Sequence, residues 1–305
     1  MSAKKARNTE VAYAHAWKVF CQWCVAAGRP SLPASSETVS LYVASLLEGG
    51  LHVRTVRVKL AGIADRHAAA LHPNPVTPEV RALVVNASRL LRQVSRPKRA
   101  VTIELVARVA ALDLTSCVRD ERDRAMFLFL FALGWRRGEL ASLNLGDVDF
   151  VGRRGVIVRL GASKTDQAGK GRVVSVPYGS LPQVCPVLAL RRWLDLRGSW
   201  RGPLFCSVNA VGTALVRCRV SGQVVCEAVQ RLLARVGEDP AAYGAHSLRS
   251  GMITAAAEAG AGEIQIMQRT GQRSIGTVLA YVRPAQAFRS DPLAGVLWPG
   301  AAAAI

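Results

Sequence analysis

The sequence predicts a mainly α-helical protein in two parts: a small helical domain over 1–92, and a larger, mostly helical domain over 102–305 that carries a small antiparallel β-sheet. Three observations predict it. Apolar residues recur at helical spacing through most of the chain. A polar, basic stretch from Gln93 to Val101 (QVSRPKRAV) breaks that pattern, contains Pro97 and reads as a linker over 93–101. One interval alternates with period two: Val156, Val158 and Leu160, then Val174 and Val176, separated by the Gly- and Lys-rich turn GASKTDQAGKGR.

Each element has its own justification. Thr9 to Ala27 places Val11, Ala14, Trp17, Phe20 and Cys24 near one helical face, and Gly28 with Pro30 ends the run. Ser36 and Glu37 start a second helix that stops at Gly49–Gly50. Val53 to Leu71 forms a third, with Val56, Leu60, Ile63 and His67 at helical spacing. Thr77-Pro78-Glu79 joins a capping hydroxyl, a proline at the first helical position and an acid in the first turn, so a fourth helix runs to about Leu91. Beyond the linker, Thr102 caps a helix, and Asp120 to Leu133 makes another that ends at Gly134. After the strands, helices are predicted over Pro186–Arg197, Ser221–Val236, Ser247–Ala259, Glu263–Thr270 and Ser274–Val282.

Composition narrows the partners. Forty Lys and Arg against 21 Asp and Glu give a formal charge of +19, which points to a polyanion, nucleic acid above all. The excess is spread: 12 basic and 5 acidic residues in 1–92, 28 and 16 in 93–305, so both parts can meet phosphates. Seven cysteines show no repeating spacing; Cys21 and Cys24 form a CxxC inside a helical pattern with no second pair. No zinc site is therefore expected, and the thiols read as reduced. No apolar run is long enough to span a membrane, since Phe127 to Leu133 is short, and no signal peptide is recognised, so a cytoplasmic protein is expected.

Four pieces carry chemistry. Gly134-Trp135-Arg136-Arg137-Gly138-Glu139-Leu140 is the first, with Glu139 one helical turn beyond Arg136 and able to orient it. His246-Ser247-Leu248-Arg249 is the second; three residues apart on a helix, His246 and Arg249 can reach one phosphate, and the guanidinium fork suits two of its oxygens. In the third, Gly271-Gln272 is followed nine residues on by Tyr281. In the fourth, Lys164 sits in the turn of the small sheet, with Lys170 close enough to compete. Singly these are bland patterns. In this order and spacing they resemble the tyrosine recombinase, or phage integrase, family, and the helical amino-terminal part resembles that family's core-binding, SAM-like DNA-binding domain, so the resemblance spans nearly the whole chain.

The resemblance implies a site-specific DNA recombinase. Tyr281 would be the nucleophile that forms a 3′-phosphotyrosyl bond, and Arg136 and Arg249 the two catalytic arginines. His246 would bond the phosphate or take the tyrosine proton, Lys164 would protonate the leaving 5′-oxygen, and Glu139 would support Arg136. Bond energy is kept in the phosphotyrosine, so no metal or cofactor is implied. Gln272 departs from the pattern, because the family usually has His or Trp there; glutamine still donates one hydrogen bond but carries no charge. The implied partner is double-stranded DNA with a specific target site, held between the two domains. Four protomers would assemble on two sites, with the apolar tail over 284–298 docking on a neighbour or on its own domain. Two other readings remain in view: a type IB topoisomerase-like enzyme, and a catalytically impaired DNA-binding or architectural protein.

Overall fold

The computed structural model describes residues 7–91, 98–114, 117–161 and 171–286. The chain divides into two compact units, Met1–Arg96 and Pro97–Ile305.

The first unit is four helices: α1 (Arg7–Ala26), α2 (Ser36–Glu48), α3 (Val53–Ala69) and α4 (Pro78–Leu90). Local chemistry sets their starts. The Ser35 hydroxyl accepts from the Thr38 amide at 3.1 Å, and the Thr77 hydroxyl caps α4 ahead of Pro78. The apolar stripes meet in one core built on Phe20, Cys24, Val39, Tyr42, Val56, Ile63 and Val84. His67 is buried within it and fully bonded: Nε2 accepts from the Ala34 amide and Nδ1 donates to the Ile63 carbonyl, both at 2.9 Å. It is a structural histidine, its polar atoms matched as burial demands.

The second unit is larger and mostly helical. In chain order it runs α5 (Ile103–Ala110), α6 (Val118–Leu133), α7 (Arg137–Ser142), β1 (Val148–Val151), β2 (Gly155–Leu160), β3 (Arg172–Pro177), α8 (Pro186–Arg197), β4 (Cys206–Val208), β5 (Leu215–Arg219), α9 (Gly222–Arg235), α10 (Ala245–Glu258), α11 (Glu263–Thr270) and α12 (Ile275–Gln286). Helix α6 is the hub. It packs on α8, α9 and α10, which is why its apolar half is buried all round rather than on one face. Its first turns bury Asp120, Glu121, Arg122, Asp123 and Arg124. Buried charges persist only when matched. Here Asp123 accepts from Arg122 at 2.8 Å and from Arg231 at 2.6 Å, and Asp120 accepts from Arg235 at 2.9 Å.

Three sequence expectations change. The alternating segments pair as predicted, with Val156 opposite Val176 and Val158 opposite Val174, but β1 adds a third strand, giving the antiparallel order β1-β2-β3. A second sheet, β4-β5, was not foreseen. Its strands are three and five residues long, and most of β5 is exposed, so no apolar alternation marks it. Arg136 does not lie on a helix. It is the residue before α7, with extended backbone (φ −78°, ψ 150°). Among the described residues no helix is long and apolar enough to cross a membrane, and no cluster of His, Cys, Asp or Glu is arranged to hold a metal ion.

Candidate active site

The site forms where α6 ends, α7 and α10 begin, and α11 turns into α12. Gly134 closes α6 in the left-handed conformation (φ 63°), and a Cβ there would come within 1.8 Å of Met252 Cε. The chain then lays Trp135 into the core and brings Arg136 to the surface. Glu139, at the third position of α7, reaches back in two ways. Its Oε2 accepts from the Arg136 backbone amide at 2.8 Å, and its Oε1 accepts from Arg136 Nη1 at 2.9 Å. One carboxylate thus caps the helix and aims the guanidinium, as an acid near a helix N-terminus is placed to do. The pairing predicted for Arg136 and Glu139 is present, although its geometry is that of a cap rather than of two residues one turn apart.

His246 and Arg249 open α10. Arg249 is 2% exposed, and its Nη1 donates to the carbonyls of Gly134 (2.7 Å) and Thr270 (2.9 Å). These bonds tie the end of α6 and the end of α11 to α10. Its Nη2 is buried and has no hydrogen-bond partner among the described residues. Burial, and then the charge of Arg136, pushes Arg249 down to about 10, so it is still protonated at neutral pH.

Tyr281 stands on α12, partly buried against Met252, Ile253, Ile266 and Val278. Its hydroxyl lies 3.2 Å from His246 Nε2. The protein packed around the imidazole, and then the charges of Arg249 and Arg136, hold His246 below the ordinary histidine value of 6.5. The neutral ring, able to accept a proton, is therefore the dominant form at neutral pH.

Gln272 follows Gly271, the left-handed cap of α11 (φ 66°). The Thr270 hydroxyl donates to the Ile266 carbonyl at 2.7 Å and stands 3.0 Å from Gln272 Oε1. Gln272 is thereby tied to the segment that also anchors Arg249. Lys164 and the competing Lys170 lie outside the described residues, as does the tail beyond residue 286. Arg136, Glu139, His246, Arg249 and Tyr281 are thus brought together from three separate stretches of sequence, and Gln272 joins them through Thr270.

Sequence reading missed Arg172. It begins β3, stacks its guanidinium 4.5 Å from the Trp135 ring centroid, and donates from Nη2 to Glu139 Oε2 at 3.2 Å. Nothing local marks it, since its partners are 33 and more residues away. Gly271 makes room for it: a Cβ there would come within 1.6 Å of Arg172 Nη1. Gly271→Ala is therefore expected to cost about 1–2 kcal/mol for the left-handed backbone alone. The melting temperature should fall by roughly 2–8 °C; an unchanged melt would show that the turn relaxes to another conformation.

Arginines, a neutral histidine and a tyrosine hydroxyl converge here at one end of a helical domain, and these are the kinds of group that phosphoryl transfer by positioned charge and a covalent nucleophile requires. Comparisons with known proteins agree. Residues 108–287 match the Phage integrase family. The chain is 31% identical over 297 residues, 96% of this chain and 86% of the relative, to an integrase/recombinase xerD homolog of Selenomonas ruminantium. It is 28% identical over 260 residues to the tyrosine recombinase XerD of Bifidobacterium longum, covering 81% of this chain and 77% of that one. Among solved structures, the Tn1549 transposon integrase in complex with transposon right end DNA superposes with a TM-score of 0.63 at 17% identity, over 94% of this chain and 95% of that one. A lambda integrase dimer bound to a COC′ core site gives 0.59 at 15% identity, over 92% and 72%. These two likenesses are of fold. The chain belongs to the phage integrase family and is a tyrosine-type site-specific recombinase.

Proposed function

We propose that the protein cleaves and rejoins duplex DNA at a specific site through a 3′-phosphotyrosyl bond on Tyr281. The observation that carries the reading is the 3.2 Å contact between the Tyr281 hydroxyl and His246 Nε2, in a site where three guanidiniums face one carboxylate. Tyr281 Oη attacks phosphorus and gives its proton to neutral His246. The bond from phosphorus to the 5′-oxygen breaks, and Lys164 protonates that oxygen. Arg136 and Arg249 hold the non-bridging oxygens, with Arg249 Nη2 the buried donor left for one of them. Gln272 contributes a single neutral hydrogen bond. Attack by a 5′-hydroxyl from a partner strand reverses the step and frees Tyr281.

The wider reading rests on the same family. Residues 1–92 bind DNA, 93–101 link, and 102–305 carry the chemistry. Four protomers assemble on two sites, with 284–298 as the docking tail, in the cytoplasm where the DNA lies. The likeness to an integrase solved with transposon DNA supports a DNA partner. The test is covalent trapping: the protein is incubated with genomic fragments, denatured, and the DNA–protein adduct is sequenced. A recurrent sequence at the junction supports site-specific cleavage. Relaxation of supercoils at arbitrary sequence would instead identify a topoisomerase-like enzyme, and tight binding without an adduct would identify an architectural protein.

A pH profile tests the proton's destination. Since His246 titrates below 6.5, the adduct rate should hold steady down to about that pH and fall below it, as the imidazole becomes protonated and can no longer accept from Tyr281. A rate that stays flat well below the histidine range would remove His246 as the base.

A further inference from the structure

We infer that Glu238 is a positioning residue for the turn that carries His246 and Arg249, because it clamps the segment Lys98–Val101 against that turn. The inference rests on the reading above and deepens it. Lys98 to Val101 are the first described residues of the second unit. They lie along the chain that leads into α10. The Arg99 amide donates to the Ala242 carbonyl at 2.9 Å, and the Val101 amide donates to the Ser247 carbonyl at 3.0 Å. Ser247 stands between His246 and Arg249, so the segment grips the turn from which both side chains project. Gly251 admits it: a Cβ there would come within 1.9 Å of the Val101 carbonyl oxygen. Val101 itself is fully buried, which fixes the segment at its far end.

Side chains close the clamp. Glu238 Oε2 accepts from the Tyr243 hydroxyl at 2.8 Å and stands 3.4 Å from Arg99 Nη1, while Oε1 stands 3.5 Å from Arg108 Nη1 on α5. Tyr243 is buried three residues before His246, and the Arg99 guanidinium lies 5.4 Å from its ring centroid. Gln230 on α9 donates to the carbonyls of Pro240 and Tyr243, both at 3.1 Å, and so anchors the same stretch from the other side. Burial, and then the bond to Glu238, pushes the Tyr243 hydroxyl above its ordinary value, so it remains a donor. The Arg99 and Arg108 side chains are 67% and 51% exposed, and ion pairs so open to water contribute little to stability. Their effect on geometry is larger, because a small misplacement at a reacting centre is felt strongly in the rate.

The experiment follows one round of adduct formation by the full chain on a saturating nicked duplex that carries the sequence recovered by trapping. It compares Glu238→Ala, Glu238→Gln, Tyr243→Phe and the double variant Glu238→Ala/Tyr243→Phe. Glu238→Ala should lower the rate constant roughly ten- to a hundredfold, with the final amount of adduct and the affinity for DNA nearly unchanged. A merely structural role would do the reverse: fewer active molecules would react at the parent's rate constant. Glu238→Gln keeps an acceptor for the Tyr243 hydroxyl and should recover much of the rate. Tyr243→Phe removes that hydroxyl alone and should be slow for the same reason as Glu238→Ala. Both changes cut one link, so the double variant's loss should be smaller than the product of the two single losses. Single variants as fast as the parent, less adduct formed at an unchanged rate constant, or multiplicative losses in the double variant would each overturn the assignment. If Glu238→Ala fails to fold, Tyr243→Phe decides by the same two readings. A parent protein that forms no adduct sinks the proposed function and this assignment with it, whereas variants that match an active parent sink the assignment alone.

Discussion

Tyr281→Phe should abolish the covalent adduct while leaving DNA binding and the fold in place. The change removes one oxygen. Among the described residues that oxygen makes one hydrogen-bond contact, 3.2 Å to His246 Nε2, and the ring remains packed against the cluster of Met252, Ile253 and Val278. Losing one such hydrogen bond costs on the order of 1 kcal/mol, so the melting temperature should shift by only a few degrees. The chemistry has no such reserve. Phenylalanine offers no atom to attack phosphorus, and neighbouring groups cannot restore a covalent link whose nucleophile is gone. Denaturing gels of trapped DNA would check the adduct, and gel-shift titration the binding. An adduct that persists in the variant would place the nucleophile elsewhere and dismantle the proposed mechanism.

The amino-terminal helices were legible because each carries its own local signals. Thr77 caps, Pro78 sits at a first helical position, Ser36 and Glu37 mark the start of α2, whose cap is Ser35 just before them, and the apolar faces repeat at helical spacing. The His-x-x-Arg helix was legible for the same reason, and α10 holds both residues in its first turn and a half. What the sequence could not show depends on distant parts of the chain. Arg136 looks helical beside Glu139, yet Gly134 in its left-handed conformation breaks α6 just before it, and Arg136 becomes a cap. Strands β4 and β5 are short and little buried, so their pairing leaves no period-two trace. Arg172 was invisible because its meaning comes from Trp135, Glu139 and Gly271, all remote in sequence. A basic residue at the start of a strand is unremarked until the fold supplies those partners.

Arg249→Met should separate stability from catalysis. Two effects on the fold oppose each other. Burial among Arg136 and Arg172 pushes Arg249 down from 12.5 to about 10, a penalty on its charge of roughly 3 kcal/mol at about 1.4 kcal/mol per unit. Against this, Nη1 makes two bonds, to the carbonyls of Gly134 and Thr270, together worth on the order of 3–6 kcal/mol for a charged donor. The two nearly cancel, and methionine fills much of the volume, so the variant should fold and melt within several degrees of the parent. Arg249→Ala also opens a cavity in a site that is 2% exposed, and should lose about 2–4 kcal/mol more. Catalysis has no such cancellation. In the proposed mechanism the buried Nη2 is the donor to the phosphate, and removing a preorganised donor to a developing oxyanion lowers rates by about 10²–10³. Both variants should therefore be nearly inactive, and only Arg249→Ala should be markedly unstable. If Arg249→Met fails to fold, the charge was holding the helices together, and its burial cannot be read as stability surrendered to the phosphate.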